Sequence, residues 1–155
     1  MSNNIEARLK AAGITLPQPA APQANYVPFV ITGQQVFIAG QIPLIDGKMA
    51  YCGKVGRDLG LDEAKQAARL CAINLIAHLK NACAGDLGRL VRVVRLGAFV
   101  ASTDDFTDQA LVANGASDLM GEIFGEAGRH ARAAVGVNVL PLNAAVEIDG
   151  IFEIR

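Results

Sequence analysis

The sequence predicts an α+β domain in which one β-sheet carries two long helices packed on a single face. Two observations predict it. Helical spacing of apolar residues is sustained over only two long stretches, residues 62–84 and roughly 106–125. The other apolar runs are short, rich in Val, Ile and Phe, and bounded by Gly, Pro, Asp and Asn, as strands are. Their order is β-hairpin, helix, strand, helix and a closing pair of strands. So few helices cover one face of a sheet and leave the other to water or to another subunit.

Residues 4–12 place Ile5, Leu9 and Ala12 on one face of a short helix, a docking arm stopped by Gly13. Four prolines between residues 15 and 28 (Pro17, Pro19, Pro22, Pro28) forbid a regular helix or central strand and predict an extended connector. Residues 1–24 thus form a helix and Pro-rich connector, and residues 25–155 a single domain. Two β-rich runs, 26–32 and 35–39, are split by Gly33 and Gln34, which signals a hairpin. Gly40 and Pro43 close the second run, and Asp46-Gly47 marks another turn.

The clearest helix, 62–84, aligns Ala64, Ala68, Ala72, Leu75 and Leu79. Asp62 and Glu63 suit its positive end, and Gly85 is its C-terminal cap. Residues 90–101 read as a central strand. Ser102 to Asp105 offer N-cap chemistry for the second helix, whose buried stripe is Leu111, Leu119, Ile123 and Phe124. Asn114-Gly115 interrupts this helix, where glycine costs about 1 kcal/mol against alanine, so a packing or site reason is expected.

The last stretch reads as two strands joined by a turn at Pro141, Leu142 and Asn143. In the first, Ala133, Val135, Val137 and Val139 alternate with Arg132, Ala134, Gly136 and Asn138. In the second, Val146, Ile148, Phe152 and Ile154 oppose Glu147, Asp149 and Glu153. If the strands pair, Arg132 and Glu147 share the polar face, with His130 on the parity of Arg132. A guanidinium suits bidentate capture of a small carboxylate, and a nearby glutamate suits orienting water or moving a proton. The competing reading is a solvated pair that neutralise each other.

Length and composition fit one self-sufficient core: 155 residues, 52% apolar, net charge -1 and no tryptophan. That charge gives no case for nucleic acid or a membrane surface as partner. The opening MSNNIEARLK carries charges where a secretory signal needs an apolar centre, and no apolar run reaches membrane-span length. Cys52, Cys71 and Cys83 include no CxxC and cannot all pair. Together these predict a reduced, cytoplasmic protein, with Cys71 and Cys83 as packing residues. His78 and His130 lie far apart among scattered cysteines, so no metal site is expected. GxxxxGK[ST], GxGxxG and GxSxG are all missing, which removes the usual phosphate-binding loops and serine elbow.

Several pieces in order resemble the RidA (YjgF-like, endoribonuclease L-PSP) family, as a divergent subgroup. They are Phe37 to Leu44 (FIAGQIPL), Asp104 to Phe106 (DDF), Ile123 to Glu126 (IFGE), Ala131-Arg132, Leu140-Pro141 and Val146-Glu147-Ile148. The resemblance implies a chorismate mutase-like fold with a mixed sheet, and a homotrimer with a pocket at each subunit interface. It also implies that Arg132 holds a substrate carboxylate and Glu147 positions the attacking water, with Tyr26, Gly40 and Asn114 in the pocket; His130, from its strand parity with Arg132, joins them as a candidate substrate-binding residue. The implied activity is deamination of small 2-imino acids to 2-keto acids and ammonia. No metal or organic cofactor is required, because a protonated imine is already electrophilic. Ala134 stands where such deaminases often keep a cysteine, and Ala39 where they keep a serine. Those departures keep open a non-catalytic trimer that binds a small carboxylate as sensor or carrier. Endoribonuclease activity is the third alternative, without a basic stripe to support it.

Overall fold

The computed structural model describes residues 2–19 and 24–155; part of the proline-rich connector, residues 20–23, lies outside them. The elements are α1 (Ser2–Ala11), β1 (Phe29–Thr32), β2 (Gln35–Gln41), β3 (Leu44–Ile45), β4 (Lys48–Met49), α2 (Leu61–Ala82), β5 (Leu90–Ala101), α3 (Gln109–Phe124), β6 (Ala131–Val137) and β7 (Val146–Ile154). Five strands form one sheet in the order β1-β2-β7-β5-β6. Only β5 and β6 run parallel, joined by α3, so the sheet is mixed. The helices α2 and α3 pack together on one face, which is the expected α+β architecture.

Alternation along β7 shows how that face was built. Val146, Ile148, Phe152 and Ile154 are buried beneath the helices, while Glu147, Asp149, Ile151 and Glu153 are half-exposed on the other side. The first hairpin forms as expected, with Gly33 at φ +61° in its turn. Asp46 and Gly47, both at positive φ, make a two-residue turn of the primed kind and close a small β3-β4 ribbon. At the end of α2 the Gly85 amide (φ +91°) donates to the Lys80 carbonyl at 2.8 Å, the expected C-terminal cap. Cys71 and Cys83 are buried. The N-terminal helix docks on its own chain: Leu9 enters the core, Glu6 pairs with Lys80 at 3.0 Å, and Arg8 donates to the Ile123 carbonyl at 3.3 Å.

Three expectations need correction. Leu111, expected in the buried stripe of the second helix, is exposed, and Val112 is buried instead. The second helix begins at Gln109, three residues later than its N-cap signal placed it. Ser102 and Thr103 spend their hydroxyls locally, donating to the Val100 carbonyl (3.2 Å) and Asp105 Oδ1 (2.8 Å), which builds a separate turn before the helix. More consequentially, the closing strands are not partners. β5 lies between them, pairing Leu96 with Arg132 on one side and Phe99 with Glu147 on the other. Leu96 is buried under the helices and Phe99 is not, so Arg132 points to the helix face and Glu147 to the open face. Alternation fixes parity within a strand and says nothing of which strand lies beside it.

His78 is a buried exception to the apolar core. It is 6% exposed, its Nδ1 has no hydrogen-bond partner among the described residues, and burial pushes its pKa down. The unfolded chain therefore takes up the proton first, and stability falls as pH drops from about 6.5 toward the lower folded value. The slope attributable to this group reaches at most about 1.4 kcal/mol per pH unit. Denaturant midpoints at pH 7 and pH 5 check this: His78→Gln should show a smaller drop than the parent chain.

Candidate functional site

Arg132 is held from three sides by one stripe of α3. Its Nη1 donates to Asn114 Oδ1 at 2.8 Å and to Ser117 Oγ at 3.0 Å, and its Nη2 donates to the Ala110 carbonyl at 3.2 Å. Residues 110, 114 and 117 fall at i, i+4 and i+7, so a helix aligns them on one face. A guanidinium has five N–H groups. Three are occupied, and the Nε–H and one Nη2–H remain on the exposed side chain. Both are charge-assisted donors open to a carboxylate.

Beyond Ser117 the hydrogen bonds continue. Its Oγ lies 2.9 Å from His130 Nε2, and His130 Nδ1 lies 2.6 Å from the Gly128 carbonyl. Both ring nitrogens are thus engaged. A cleft of about 440 Å³ opens here, its lining including Ser117, Gly121, Gly128, Arg129, His130 and Arg132. Ser117 is the site residue that sequence reasoning missed; its three-residue spacing from Asn114 was the available signal.

Asn114-Gly115 now has both reasons that its cost demanded. Asn114 braces Arg132, while Gly115 lets α3 approach α2 until a Cβ would overlap the Lys65 carbonyl oxygen.

Glu147 stands on the open face, in a second cluster. Its carboxylate lies over Gly40, where a Cβ would come within 2.7 Å of Glu147 Oε2. The β2-β7 register shifts between Ile38 and Gln41, so Gly40 sits in a bulge that clears space for the acid. Burial, then the nearby charge of Asp149, raises the Glu147 pKa above the ordinary carboxylate value. Tyr26 is exposed in the segment entering β1; two residues on, the Pro28 carbonyl accepts from the Ala39 amide (2.9 Å), beside Gly40.

The predicted residues therefore form two half-sites. Asn114, His130 and Arg132 come together, and Gly40 lies with Glu147. The strand β5 and the thickness of the sheet separate the halves within one chain. The open face mixes charged and apolar side chains: Glu147, Asp149, Glu153 and Arg95 share it with Val30, Phe37 and Val135, which are 52%, 42% and 46% exposed. No three His, Cys, Asp or Glu side chains among the described residues come together as a metal site needs.

A mixed five-stranded sheet with two long helices on one face defines a chorismate mutase-like α+β protein. The chain belongs to the YjgF/chorismate mutase-like, putative endoribonuclease family, whose model matches residues 6–153. It is similar to Atu1372, a protein of unknown function from Agrobacterium tumefaciens, with 52% identity and a TM-score of 0.94 over 99% of this chain and 94% of that one. Protein TCP17 of Trypanosoma cruzi is 47% identical, over 99% of this chain and 96% of its own. Escherichia coli TdcF, solved with bound serine, shares the fold at 24% identity and a TM-score of 0.62, over 89% of this chain and 94% of TdcF. No helix among the described residues is long and apolar enough to cross a membrane.

Proposed function

We propose that the protein is a hydrolase of small 2-imino acids, releasing ammonia and a 2-keto acid, in pockets formed between the subunits of a homotrimer. The observation that carries this reading is the braced guanidinium of Arg132, with two donors left for a carboxylate. TdcF, with serine bound, supports a small amino-acid-derived carboxylate as the ligand class.

In the proposed reaction Arg132 holds the substrate carboxylate. Glu147 accepts a proton from water as the oxygen bonds to the iminium carbon. The same proton passes to nitrogen, the carbon–nitrogen bond breaks, and ammonia departs as Glu147 takes the hydroxyl proton, which it returns to solvent, and the carbonyl forms. A carboxylate with a raised pKa is a better proton acceptor than an ordinary one. Because Arg132 and Glu147 lie on opposite faces of one sheet, a pocket that uses both takes them from different copies of the chain. The exposed Val30, Phe37 and Val135 on the open face suit that association.

Ammonia release from freshly generated 2-aminoacrylate tests the reading. Arg132→Ala should lower kcat/KM by roughly two to three orders of magnitude, the worth of two charge-assisted hydrogen bonds. Equal co-assembly of inactive Arg132→Ala and Glu147→Gln chains should restore about a quarter of wild-type activity, since about that share of random interfaces holds both intact residues. No acceleration over buffer by the wild-type protein would sink the enzyme reading. Ala134, which packs against the core without a thiol to offer, favours the second reading, a trimeric carboxylate sensor. Thermal stabilisation by a 2-keto acid without turnover distinguishes it.

A further inference from the structure

We infer that His130 and Ser117 are positioning residues: a one-way hydrogen-bond relay through them fixes the Arg132 guanidinium for capture of a carboxylate. The inference rests on the reading of Arg132 as the carboxylate holder and goes beyond it in naming what sets its orientation.

The direction of the relay follows from its far end. A backbone carbonyl only accepts, so at 2.6 Å from the Gly128 oxygen His130 Nδ1 carries a proton. In the neutral ring, Nε2 is then a lone pair, and the Ser117 hydroxyl 2.9 Å away donates to it. With its single hydrogen committed, Ser117 Oγ turns lone pairs toward Arg132 Nη1 at 3.0 Å. Donation thus runs from guanidinium to hydroxyl to imidazole to carbonyl, and each link polarises the next.

The relay is anchored at both ends. Gly128 is buried, and a Cβ there would overlap the Met120 carbonyl oxygen, so the accepting peptide is pressed against the α3 backbone. At the other end Asn114 takes the second Nη1 hydrogen. A serine within a helix otherwise turns its hydroxyl to a carbonyl of the preceding turn. The imidazole removes that option and keeps Ser117 an acceptor for the cation. This also gives His130 a role without a ligand contact, since neither ring nitrogen is free.

Two measurements on the full-length, assembled protein test the relay. By NMR, His130 should show the Nδ1–H tautomer, and the Arg132 Nη signals should be resolved. In Ser117→Ala and His130→Ala those Nη signals should merge as the guanidinium gains rotational freedom. An Nε2–H tautomer, or Nη signals unchanged in Ser117→Ala, would overturn the inference. In calorimetry with 2-oxobutanoate as probe, Ser117→Ala should weaken binding about tenfold, and Ser117→Thr should restore it to within about twofold. In the ammonia-release assay the same loss should fall on KM, with kcat nearly unchanged, because holding the carboxylate is common to ground and transition states. The Ser117→Ala/His130→Ala double variant should be no weaker than Ser117→Ala alone, as members of one unit are not additive. Additive losses would overturn the relay while leaving the role of Arg132 intact. Unchanged 2-oxobutanoate affinity in Arg132→Ala would instead overturn the carboxylate reading, and the inference with it.

Discussion

Gly115→Ala is expected to destabilise the protein by about 3 kcal/mol or more, lowering Tm by roughly 6–12 °C. The clash is with backbone. A Cβ at this position would overlap the Lys65 carbonyl oxygen of α2 and approach the carbonyl carbon to 2.8 Å and the Cα to 3.1 Å. None of these atoms can rotate aside, so the two helices must separate and open the core layer between them. On propensity alone the substitution should help, since alanine gains about 1 kcal/mol over glycine inside a helix. Gly121 provides the control: it lies in the same helix with nothing within 4 Å of its ideal Cβ. Gly121→Ala should therefore be neutral or stabilising by up to about 1 kcal/mol. Urea denaturation of the two variants reads opposite signs from one chemical change. Equal effects would sink the close approach of α2 and α3. Any separation also carries Asn114 away from Arg132, so carboxylate affinity should fall with stability in Gly115→Ala.

That glycine also shows how far the sequence could be read. An interior Asn-Gly is costly in a helix, so its presence announced a reason, but the reason lay in α2, some fifty residues away in the chain. The elements themselves were legible because each depends on local pattern: helical spacing for α2, continuous β-rich residues for β5, and turn chemistry at Gly33 and Asp46-Gly47. Parity within β7 was legible for the same cause. The neighbour of each strand was not, because alternation is unchanged whether β7 pairs with β6 or with β5. Hence Arg132 and Glu147 were visible as polar residues at defined positions while their common face was an error. The structure moves them to opposite sides of the sheet. Ser117 went unnoticed for a related reason. Its partners are a guanidinium and an imidazole supplied from beyond the end of its own helix, and only the three-residue spacing from Asn114 marked it.

Glu147→Gln should separate activity from stability. If this carboxylate moves the water proton, its loss lowers kcat by roughly 10²–10⁴-fold, with a smaller change in KM. The same substitution should make the fold more stable near neutral pH. Burial and the charge of Asp149 hold the folded Glu147 pKa above its unfolded value. A group raised in this way contributes its stability in full below the unfolded pKa, near 4.3, and loses it as pH rises through the folded value. At pH 7 the wild-type protein therefore carries the cost of an ionised, half-buried acid that glutamine does not. Partial exposure keeps the effect under about 1 kcal/mol, a Tm increase of roughly 1–3 °C. Below about pH 4 the protonated acid and the amide are alike in charge, and the difference should close. Parallel melting curves and ammonia-release rates from pH 4 to pH 8 check both arms. Full activity in Glu147→Gln would remove the glutamate from the chemistry. Lost activity without the pH-dependent gain would mean that Glu147 is better solvated than its place over Gly40 implies. A gain in stability joined to a loss of rate is the signature of an acid kept for reactivity at the expense of the fold.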